Sequence, residues 1–414
     1  MSDIKDISLA KIGQDRIDWV RSYMPVLSSI EQDFIARKPF AGKRISMSIH
    51  LEAKTAYLAH VLRSGGAEVY VTGCNPLSTQ DEVAAALVAD GFEVNARHGV
   101  SDEDYEIHLK KTLSLCPHVM IDDGGDFTHL LHGECKDLAR DLIGGCEETT
   151  TGIHRLYSRQ AAGKLDFTMI AVNDADCKHL FDNRYGTGQS TLDGIMGTTN
   201  LIIAGKTVVV AGYGWCGKGI AMRAKGMGGV VVITEIDPVK AIEAVMDGFT
   251  VLPMAEAARI GDLFITVTGC KDVIREEHLK LMKDGCMLSN AGHFDVEIDK
   301  IAMEKLAKRV YQRKPNIMGY EMPDGRTLNL LADGRLVNLA AGNGHPAEIM
   351  DMSFAVQAKS LEYLVMNEGK LENKIYNVPS EIDKAIATIK LESSGIKIDA
   401  LSDEQARYLA GYEV

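Results

Sequence analysis

The stretch TVVVAGYGWCGKGIAMRAKGMGGVVVITEID, from Thr207 to Asp237, decides the fold of the second half of the chain. It begins with a β-branched apolar run that is typical of a strand buried on both faces. Gly212, Gly214 and Gly217 follow in the spacing G-x-G-x-x-G. In that spacing the first glycine permits a tight turn, the second lets a pyrophosphate approach, and the third lets the next helix pack closely. We predict that a dinucleotide binds at the N-terminus of that helix.

The end of the same stretch indicates which dinucleotide binds. A second apolar strand runs from Val230 to Thr234, and Glu235 follows where a carboxylate grips the two ribose hydroxyls of an adenosine. A carboxylate at that position repels a 2′-phosphate, so NAD is predicted rather than NADP. The strand, helix, second strand and acid occur in order, which makes the assignment stronger than a glycine pattern alone.

The composition narrows the class of protein. With 414 residues the chain is long enough for two or three domains. A formal net charge of −13 and a pI near 5.4 argue against nucleic acid or an anionic membrane as a partner. No apolar run reaches the roughly 18 residues of a membrane span, and the start MSDIKDIS resembles no signal peptide. We expect a cytoplasmic protein with a small-molecule ligand.

The cysteines and histidines give no clear metal site. The cysteines are Cys74, Cys116, Cys135, Cys146, Cys177, Cys216, Cys270 and Cys286. They include no CxxC pair, which predicts free buried thiols in a reducing compartment rather than disulfides or zinc ligands. His129 and His132, with Asp126 and Glu134, could suggest a metal site, but packing on a surface helix is favoured. We predict no metal.

The first half of the chain also alternates strands and helices. Strands are predicted at ISMSIH (Ile45 to His50), EVYVTG (Glu68 to Gly73), EVNARHG and HVMIDDG, and helices at EAKTAYLAHVL and TQDEVAAALVAD. This is a doubly wound α/β pattern without a dinucleotide fingerprint, and ligands of such sheets bind beyond the carboxyl ends of the strands. The predicted fold is therefore α/β, with two doubly wound parallel-sheet domains and a small C-terminal segment.

The order of these patterns suggests that one domain is inserted into the other. We place a substrate-binding domain at residues 1–188 and a Rossmann NAD domain at residues 189–344. The helical pattern HPAEIMDMSFAVQAKSLEYLVM, from His345, would return the chain to the substrate domain over residues 345–377, and residues 378–414 form the C-terminal segment. Because the chain crosses twice between the domains, the crossings would act as a hinge.

Polar clusters lie where ligands are expected, and each has a structural alternative. EETTTG, from Glu147 to Gly152, indicates either a helix cap or a ligand contact. VNDADCKHLFDNRYG indicates either a solvated loop or part of the site. His293 follows a strand in SNAGHFDVEID, and LVNLAAGNGHP carries Asn338 and His345.

Taken together, these segments resemble the S-adenosyl-L-homocysteine hydrolases. The matching segments, in order from about His50 to Met352, are SIHLEAKTA, IDDGGD, EETTTG, VNDADCKHLFDNRYG, AGYGWCGKG, ITEIDP, TVTGC, NAGHFDVEID and LVNLAAGNGHP. The resemblance implies a hydrolase of one-carbon metabolism that converts S-adenosylhomocysteine reversibly to adenosine and homocysteine. It also implies a tightly held NAD that is reduced and reoxidised within each turnover.

The chemistry of such an enzyme explains why NAD is needed. The C5′–S bond of a thioether nucleoside is unactivated, and the C4′ proton is not acidic. Oxidising the 3′-hydroxyl to a ketone by hydride transfer to NAD makes the C4′ proton acidic. Homocysteine then leaves by β-elimination, water adds to the enone, and the hydride returns.

The resemblance also implies roles for individual residues. Lys178 would take the 3′-hydroxyl proton if its site lowers its pKa, and Asn183 would orient the nicotinamide. His50 and Asp123 would handle protons at C5′ and C4′, and His293 would lie beside the 3′-oxyanion. The predicted catalytic residues are His50, Asp123, Lys178, Asp182, Asn183 and His293.

Further residues would bind the two ligands. Glu148 and Asp182 would bind the ribose hydroxyls, and Thr149 to Thr151 would reach across the cleft to NAD. The predicted substrate-binding residues are Glu52, Lys54, Thr55, Asp123, Glu148, Lys178, Asp182 and His345. The predicted cofactor-binding residues are Thr149, Thr150, Thr151, Asn183, Gly212, Gly214, Trp215, Cys216, Gly217, Glu235, Ile236, Lys240, Thr268, Gly269, Ala291, Gly292, His293, Asn338 and His345.

The chain departs from many family members at three places. Glu52 and Lys54 stand where many members have Thr and Glu beside the nucleobase, and Lys240 replaces an asparagine near the adenosine ribose. The C-terminus, YLAGYEV, is a short form without the Lys- and Tyr-bearing tail that covers a neighbouring subunit's NAD. A homotetramer is expected from the resemblance.

These departures and the fold leave alternative functions open. Lys54 offers only donors and Glu52 only acceptors, a pair that suits the 6-oxo, N1–H edge of hypoxanthine, so S-inosylhomocysteine is an alternative substrate. An NAD-dependent dehydrogenase of the 2-hydroxyacid type is a second alternative, although its Arg–carboxylate clamp and His–acid pair are not found in the sequence. A non-catalytic NAD-binding regulator is a third alternative. Four residues argue against it: His50, Asp123, Lys178 and His293.

Overall fold

The computed structural model describes residues 2–411. Met1 and residues 412–414, the last of the predicted C-terminal segment, lie outside the described residues. Within the described part of the chain, no helix is both long enough and apolar enough to cross a bilayer.

The first sheet is built by strands that are parallel throughout. Its first six strands are β1 (Arg44–Ser48), β2 (Glu68–Thr72), β3 (Glu93–Asn95), β4 (Val119–Asp122), β5 (Gly144–Glu147) and β6 (Thr168–Ala171). They pair in the order β6-β5-β4-β1-β2-β3. These include the four strands predicted from the first half of the sequence.

Helices cover both faces of this sheet. They are α1 (Ala10–Arg21), α2 (Pro25–Arg37), α3 (Ala53–Ser64), α4 (Asp81–Ala89), α5 (Asp102–Leu113), α6 (Asp126–Leu131), α7 (Thr150–Ala161) and α8 (Asp176–Lys178). The next helix, α9 (Thr187–Thr199), packs on the second domain, because its Leu192 and Ile195 belong to an apolar cluster of the second sheet. Alternate side chains of each strand therefore enter different cores. Val119 and Ile121 belong to one apolar cluster, whereas Met120 belongs to another on the opposite face.

The second sheet has eight strands and is mixed. They are β7 (Thr207–Ala211), β8 (Val230–Thr234), β9 (Thr250–Val251), β10 (Leu263–Thr266), β11 (Met287–Asn290), β12 (Arg309–Lys314), β13 (Ile317–Glu321) and β14 (Thr327–Leu331). Their order is β12-β13-β14-β11-β10-β7-β8-β9. The pairs β12–β13 and β13–β14 are antiparallel, so the prediction of a wholly parallel sheet holds only for the part from β14 to β9.

The helices of the second domain are short. They are α10 (Trp215–Gly226), α11 (Pro238–Met246), α12 (Met254–Ile260), α13 (Glu276–Leu279), α14 (Lys300–Leu306) and α15 (Val337–Ala340). Two apolar clusters fill the opposite faces of its sheet. The helix α10 follows the glycine loop as the fingerprint predicts.

The chain then returns to the first sheet. The last elements are α16 (Ala347–Met366), β15 (Ile375–Asn377), α17 (Ser380–Ser393) and α18 (Asp403–Ala410). β15 pairs in parallel with β6 as the seventh strand of the first sheet. Asp351 of α16 accepts from the backbone N–H groups of Val26 and Leu27 at 3.2 and 2.8 Å, which fixes α16 against the start of α2. The exact domain boundaries remain predictions.

Candidate active site

The carboxyl ends of both sheets open into one cleft of about 1620 Å³. In the first sheet β1 lies between β2 and β4, and in the second sheet β7 lies between β8 and β10. The chain therefore winds away in both directions from β1 and from β7, and ligands of doubly wound sheets bind at such points. The volume exceeds that of a usual single-ligand pocket, which suits a dinucleotide together with a second ligand.

Every predicted site residue except Gly217 lines this cleft. Gly217 lies on α10 behind the glycine loop, where an added Cβ would come within 2.0 Å of the carbonyl oxygen of Gly212. Only glycine allows this close packing of α10. The individual roles of the lining residues remain predictions, but the fold brings them together from both halves of the chain.

His50 and Asp123 lie at the ends of β1 and β4. His50 Nδ1 lies 2.6 Å from Ser78 Oγ, whose hydroxyl donates to the carbonyl oxygen of Asn75 at 3.0 Å. Because the serine proton is already used, Ser78 accepts from Nδ1–H, and we infer that the lone pair of His50 is on Nε2. Nε2 faces Asp123 Oδ2 at 3.7 Å. Burial lowers the pKa of His50 to about 3, so the ring is neutral near pH 7.

Lys178 ends α8, and the π-helical turn His179–Gly186 follows it directly. A π-helix brings residue i+5 over residue i, and Asn183 Oδ1 accepts from Lys178 Nζ at 2.9 Å. Lys178 Nζ also lies 3.5 Å from carboxylate oxygens of Asp182 and Glu148. Burial lowers the pKa of Lys178, but these acids raise it by more, so the net shift is upward. The condition that the site lowers this pKa is therefore not met by these protein groups, which favour the ammonium form of Lys178.

Asp182 is held as a carboxylate by its neighbours. His345 Nδ1 lies 3.0 Å from Asp182 Oδ1, and the Ser353 hydroxyl donates to Oδ2 at 2.8 Å. Burial raises the pKa of Asp182, but Lys178 and His345 lower it by more, and the net shift is downward.

Glu148, unlike Asp182, favours the protonated form. Its Oε2 accepts from Gln357 Nε2 at 2.5 Å. Burial raises the pKa of Glu148 to about 8, although Lys178 opposes the shift. Two acids beside one ammonium thus have separated pKa values, an arrangement typical of acid–base sites.

His293 enters the cleft from the second domain. Its Nε2 would lie 2.5 Å from a Cβ at Gly124, whose φ of 107° is in the left-handed region. Only glycine fits there for both reasons. His293 Nδ1 lies 4.0 Å from Asp123 Oδ1. Burial lowers the pKa of His293 to about 4, so this ring is also neutral near pH 7.

The side chains of Thr149, Thr150 and Thr151 line the cleft at the start of α7. Thr149 occupies the N-cap position, but its side chain makes no capping hydrogen bond, and its N–H donates to Glu147 Oε1 at 3.0 Å. Thr151 Oγ1 would lie 3.9 Å from a Cβ at Gly269 in the second domain. The side-chain cap is thus not formed, and the threonine run reaches toward the other sheet.

The glycine loop has the geometry that a dinucleotide needs. Gly212 turns with a φ of 104°, and Gly214 precedes α10 with open space around its Cβ position. Glu235 lies at the end of β8, where its carboxylate accepts from the N–H groups of Tyr213, Ile236 and Asp237 at 2.7, 2.7 and 3.0 Å. These bonds hold the acid beside the glycine loop, at the predicted ribose position.

Two further polar groups fit the rest of NAD. The buried Glu297 carboxylate accepts from the N–H groups of Thr268 and Gly269 at 2.9 and 2.7 Å, which orders the loop after β10. Asn338 Nδ2 donates to Ser190 Oγ at 3.1 Å, and among the described residues its buried Oδ1 has no partner. A buried acceptor beside the cleft is available to a carboxamide N–H. The residues present therefore fit NAD.

Glu52 and Lys54 are both buried at the start of α3 and form a pair. Lys54 Nζ lies 2.6 Å from Glu52 Oε2 and donates to the carbonyl oxygen of Asn343 at 3.1 Å. The third N–H of the ammonium and Glu52 Oε1 remain for a ligand edge. The adjacent Thr55 hydroxyl donates to the carbonyl oxygen of His50 at 2.6 Å, so it orders the same turn.

Several functional neighbours were not singled out in the sequence. Ser353 and Gln357 belong to a long helix whose pattern indicates only a buried core helix, and Arg155 follows the threonine run without a motif. Arg155 donates to the carbonyl oxygen of Gly124 at 2.8 Å, and its guanidinium carbon lies 4.6 Å from the centroid of the Phe294 ring. No local pattern marks these residues, because each acts through a contact distant in sequence.

His132 and the cysteines have the following surroundings in the structure. His132 Nε2 accepts from the N–H of Asp166 at 2.9 Å, and its Nδ1 lies 2.7 Å from the carbonyl oxygen of Thr128, so neither nitrogen is available to a metal. All eight cysteines are free thiols, with Cys216 half-buried, Cys270 exposed and the others buried.

Two doubly wound sheets that share a cleft, with a dinucleotide loop on one side and a buried Lys–acid–His cluster on the other, define an NAD-dependent α/β enzyme. Residues 2–143 match the family model of S-adenosyl-L-homocysteine hydrolase, and residues 183–344 match that of its NAD binding domain. The chain belongs to the S-adenosyl-L-homocysteine hydrolase family, and it is a hydrolase that uses NAD.

Relatives match the chain over nearly its whole length. It is 56% identical over 410 residues to the adenosylhomocysteinase of Thermococcus kodakarensis, covering 99% of this chain and 97% of that protein. It is 55% identical over 413 residues to the S-inosyl-L-homocysteine hydrolase of Methanococcus maripaludis, covering 100% and 99%. It is 54% identical over 409 residues to the S-inosyl-L-homocysteine hydrolase of Methanocaldococcus jannaschii, covering 99% and 98%.

Proposed function

We propose that the protein catalyses the reversible hydrolysis of S-adenosyl-L-homocysteine to adenosine and L-homocysteine. The observation that carries this proposal is the Lys178 cluster, in which an ammonium, a carboxylate and a neutral acid meet in the cleft that the NAD loop also lines. A ribose with two vicinal hydroxyls matches this set, because Asp182 accepts hydrogen bonds and Glu148 can donate one.

A bound NAD would supply the hydride acceptor for oxidation at C3′ and the hydride donor for the final reduction. Lys178 donates to the 3′-oxygen as an ammonium and must lose a proton before it accepts one. The positive nicotinamide ring of a bound NAD would disfavour this ammonium and so would favour the neutral amine that a base needs. Asn183 accepts one N–H of Lys178 and keeps its nitrogen in position.

The first-sheet residues then handle the carbon-bound protons. Asp123 removes the C4′ proton, which a 3′-ketone makes acidic, and the neutral His50 serves the leaving sulfur and the incoming water at C5′. Its free Nε2 lone pair, set by Ser78, is on the side of Asp123. His293 contacts the same loop from the other domain, which keeps bulk water from the reacting carbons.

S-inosyl-L-homocysteine is a second candidate substrate, favoured by Lys54 at the base edge. Its third N–H can donate to a 6-oxo group while Glu52 Oε1 accepts from N1–H, which is the hydrogen-bonding pattern of hypoxanthine. The opposite pairing, in which Glu52 accepts from a 6-amino group and Lys54 donates to N1, suits adenine. The relatives named above divide between the two substrates, and a dehydrogenase of the 2-hydroxyacid type has no comparable support.

A single experiment tests the proposed function. The purified protein is incubated with S-adenosylhomocysteine and no added NAD, and adenosine and homocysteine are measured. Catalytic amounts of copurified NAD should support many turnovers, because the cofactor is regenerated. Dominant NADP in the denatured protein, or turnover that needs a stoichiometric external oxidant, would instead indicate a dehydrogenase.

We further propose that the protein works as a homotetramer in the cytoplasm. The apolar side chains of Val239, Ile242 and Met246 on α11 are exposed by 73%, 58% and 81%, which an assembly would cover. Free thiols suit a reducing compartment. Light scattering coupled to size exclusion measures the assembly, and a monomer at micromolar concentration would contradict it.

A further inference from the structure

The short helix α8, which ends in Lys178, has no cap from its own sequence. Its N-cap residue, Ala175, has the extended backbone that suits an N-cap, with φ −66° and ψ 142°, but its side chain has no oxygen that could accept a hydrogen bond. The first N–H groups of a helix have no partner within the helix. In α8 the first two belong to Asp176 and Cys177, directly before Lys178. Their partner must therefore come from another part of the chain.

Asp383 of α17 supplies that partner, 207 residues along the chain from Asp176. Its Oδ2 accepts from the N–H of Asp176 at 2.7 Å, and its Oδ1 accepts from the N–H of Cys177 at 3.0 Å. Both carboxylate oxygens are thus used at one helix N-terminus, where the helix dipole also favours a negative charge. The Cys177 thiol donates to the carbonyl oxygen of Asp383 at 3.3 Å. Burial and the Asp383 carboxylate raise the pKa of this thiol to about 12, so it keeps the proton that it donates.

The order of the strands explains why α17 begins beside α8. β15 pairs in parallel with β6, and a helix follows each of these two strands at its carboxyl end. β6 leads through the turn Val172–Asp174 into α8, and β15 leads into α17. The rest of α17 is fixed to the core, because Ile386 is fully buried and Lys390 Nζ donates to the buried Asp351 carboxylate at 3.0 Å. Asp383 therefore has a fixed position relative to the first sheet.

The segment that begins at this cap carries three residues of the active site. Lys178 ends α8, and Asp182 and Asn183 follow in the π-helical turn His179–Gly186, which continues directly from α8. The first turn of a helix is the least favourable part to form, so a helix as short as α8 depends on the hydrogen bonds at its end. Loss of the two hydrogen bonds to Asp383 would let α8 fray next to Lys178.

We propose that Asp383 is a positioning residue of the enzyme, which holds Lys178 at the reacting ribose by capping α8. This role rests on the proposed function, because Lys178 is assigned there to the 3′-oxygen. Asp383 is not among the residues that line the cleft, so it acts through α8 and not on the substrate. The C-terminal segment thus takes part in catalysis, although it follows the whole second domain in the chain.

The capping contact is tested by hydrogen exchange in the NAD-loaded protein. Asp383→Ala should speed exchange of the amide hydrogens of residues 176–186 by about tenfold, because the cap is lost. Glu381→Ala is the matched control, since Glu381 is another acid in the first turn of α17 and is exposed. This control should leave the exchange of residues 176–186 unchanged. Unchanged exchange in Asp383→Ala would overturn the contact.

The positioning role is tested by the rate at which added adenosine reduces the bound NAD. Asp383→Ala should lower this rate by about tenfold or more, because Lys178 is displaced, whereas Glu381→Ala should not change it. Asp383→Asn keeps one acceptor oxygen and should lose less. Ala175→Ser places a hydroxyl at the N-cap of α8, so the double variant Asp383→Ala/Ala175→Ser should regain most of the rate.

This rescue separates positioning from a general loss of stability, and urea unfolding checks that each variant is folded at the assay temperature. A double variant no faster than Asp383→Ala, or a normal rate of NAD reduction in Asp383→Ala, would overturn the positioning role. If Asp383→Ala does not fold, Asp383→Asn with and without Ala175→Ser gives the same comparison. If adenosine does not reduce the NAD of the wild-type protein, the proposed function fails, while hydrogen exchange still decides the capping contact.

Discussion

Lys178 Nζ donates to Asn183 Oδ1 at 2.9 Å, and the pair forms because the turn between them is π-helical. An ordinary α-helix would place residue i+4 over Lys178, which is Asp182. The π-helical turn lets Lys178 contact both side chains, one neutral and one charged. Lys178 is therefore held in one position by its contacts with Asn183 and Asp182.

Lys178→Ala should keep the fold and bind nucleoside, yet fail to reduce the bound NAD when adenosine is added. Turnover should fall by about 10³-fold, the usual loss when a general base is removed. Absorbance of the NADH band measures the reduction directly. Asp123→Asn is the matched control, because it should permit reduction and slow the later elimination. Normal NADH formation in Lys178→Ala would contradict the assigned role.

The neutral histidines predict a loss of stability in acid. His50 and His293 have pKa values lowered to about 3 and about 4, whereas the unfolded value is about 6.5, so the unfolded chain binds more protons below pH 6.5. Their stabilisation is complete above pH 6.5. The free energy of unfolding should fall by about 1.4 kcal/mol per pH unit for each histidine as the pH drops toward 4.

Urea unfolding between pH 7 and pH 4.5 measures this slope. His293→Asn should make the decline shallower, because one of the two histidines no longer contributes. His154→Asn, which changes an exposed histidine of α7, should leave the slope as it is. Equal slopes in the wild-type protein and His293→Asn would argue that this ring is not held neutral.

Glu235 should control how tightly NAD is retained. Glu235→Ala removes a charge-assisted acceptor and leaves three backbone N–H groups without it, so NAD binding should weaken by about 1.5–3 kcal/mol. Glu235→Gln keeps one acceptor and should lose less. NAD that remains after gel filtration is quantified in the denatured protein. Full retention in Glu235→Ala would show that the carboxylate is not at the ribose.

Arg155 should hold the two domains together around the substrate. It contacts Gly124 of the first domain and Phe294 of the second, next to His293. Arg155→Ala should raise KM several-fold with a smaller change in kcat. The variant weakens closure of the two domains on the substrate but leaves the proton-transfer groups in place. Arg155→Lys keeps the positive charge but cannot stack a planar group on the Phe294 ring. Its KM should therefore lie between those of the wild-type enzyme and Arg155→Ala. A pure kcat effect would point to a role in proton transfer instead.

Lys54 should influence the choice of nucleobase. If Lys54 donates to a 6-oxo group, S-inosylhomocysteine should be used at least as well as S-adenosylhomocysteine, and Lys54→Gln should shift the ratio of kcat/KM by roughly tenfold or more. The two thioethers are compared on the wild-type enzyme and on the variant. A strong adenosine preference that Lys54→Gln does not change would refute the contact between Lys54 and a 6-oxo group. It would leave the hydrolase assignment intact.

The parts of the fold that depend on residues close together in the sequence were predictable. The strand, glycine loop, helix and acid around Gly212 lie within one short segment, so local propensity and spacing were sufficient. The antiparallel strands β12 and β13 were not predicted, because their pairing has no helical crossover to mark it. Residues that act across the fold, such as Ser353 and Gln357, were also missed.

The electrostatics of the site were the least predictable part. The direction of the Lys178 pKa shift depends on how many acids the fold brings near Nζ, and these acids come from different elements. Residue type alone suggests a proton-transfer role for Lys178, but it does not give the charge of the side chain. His50 and Cys74 likewise come together only through the order of the strands in the sheet.

The late strand β15 has a consequence for how the protein is made. β6 is an open edge until β15 pairs with it, and α16, which carries Ser353 and Gln357 to the acids, also follows the whole second domain. A chain emerging from the ribosome must therefore complete its cofactor domain before its substrate domain can close. During that interval the unpaired edge of β6 is exposed to aggregation, so nascent chains of this protein should depend on chaperones more than a chain whose domains fold one after the other.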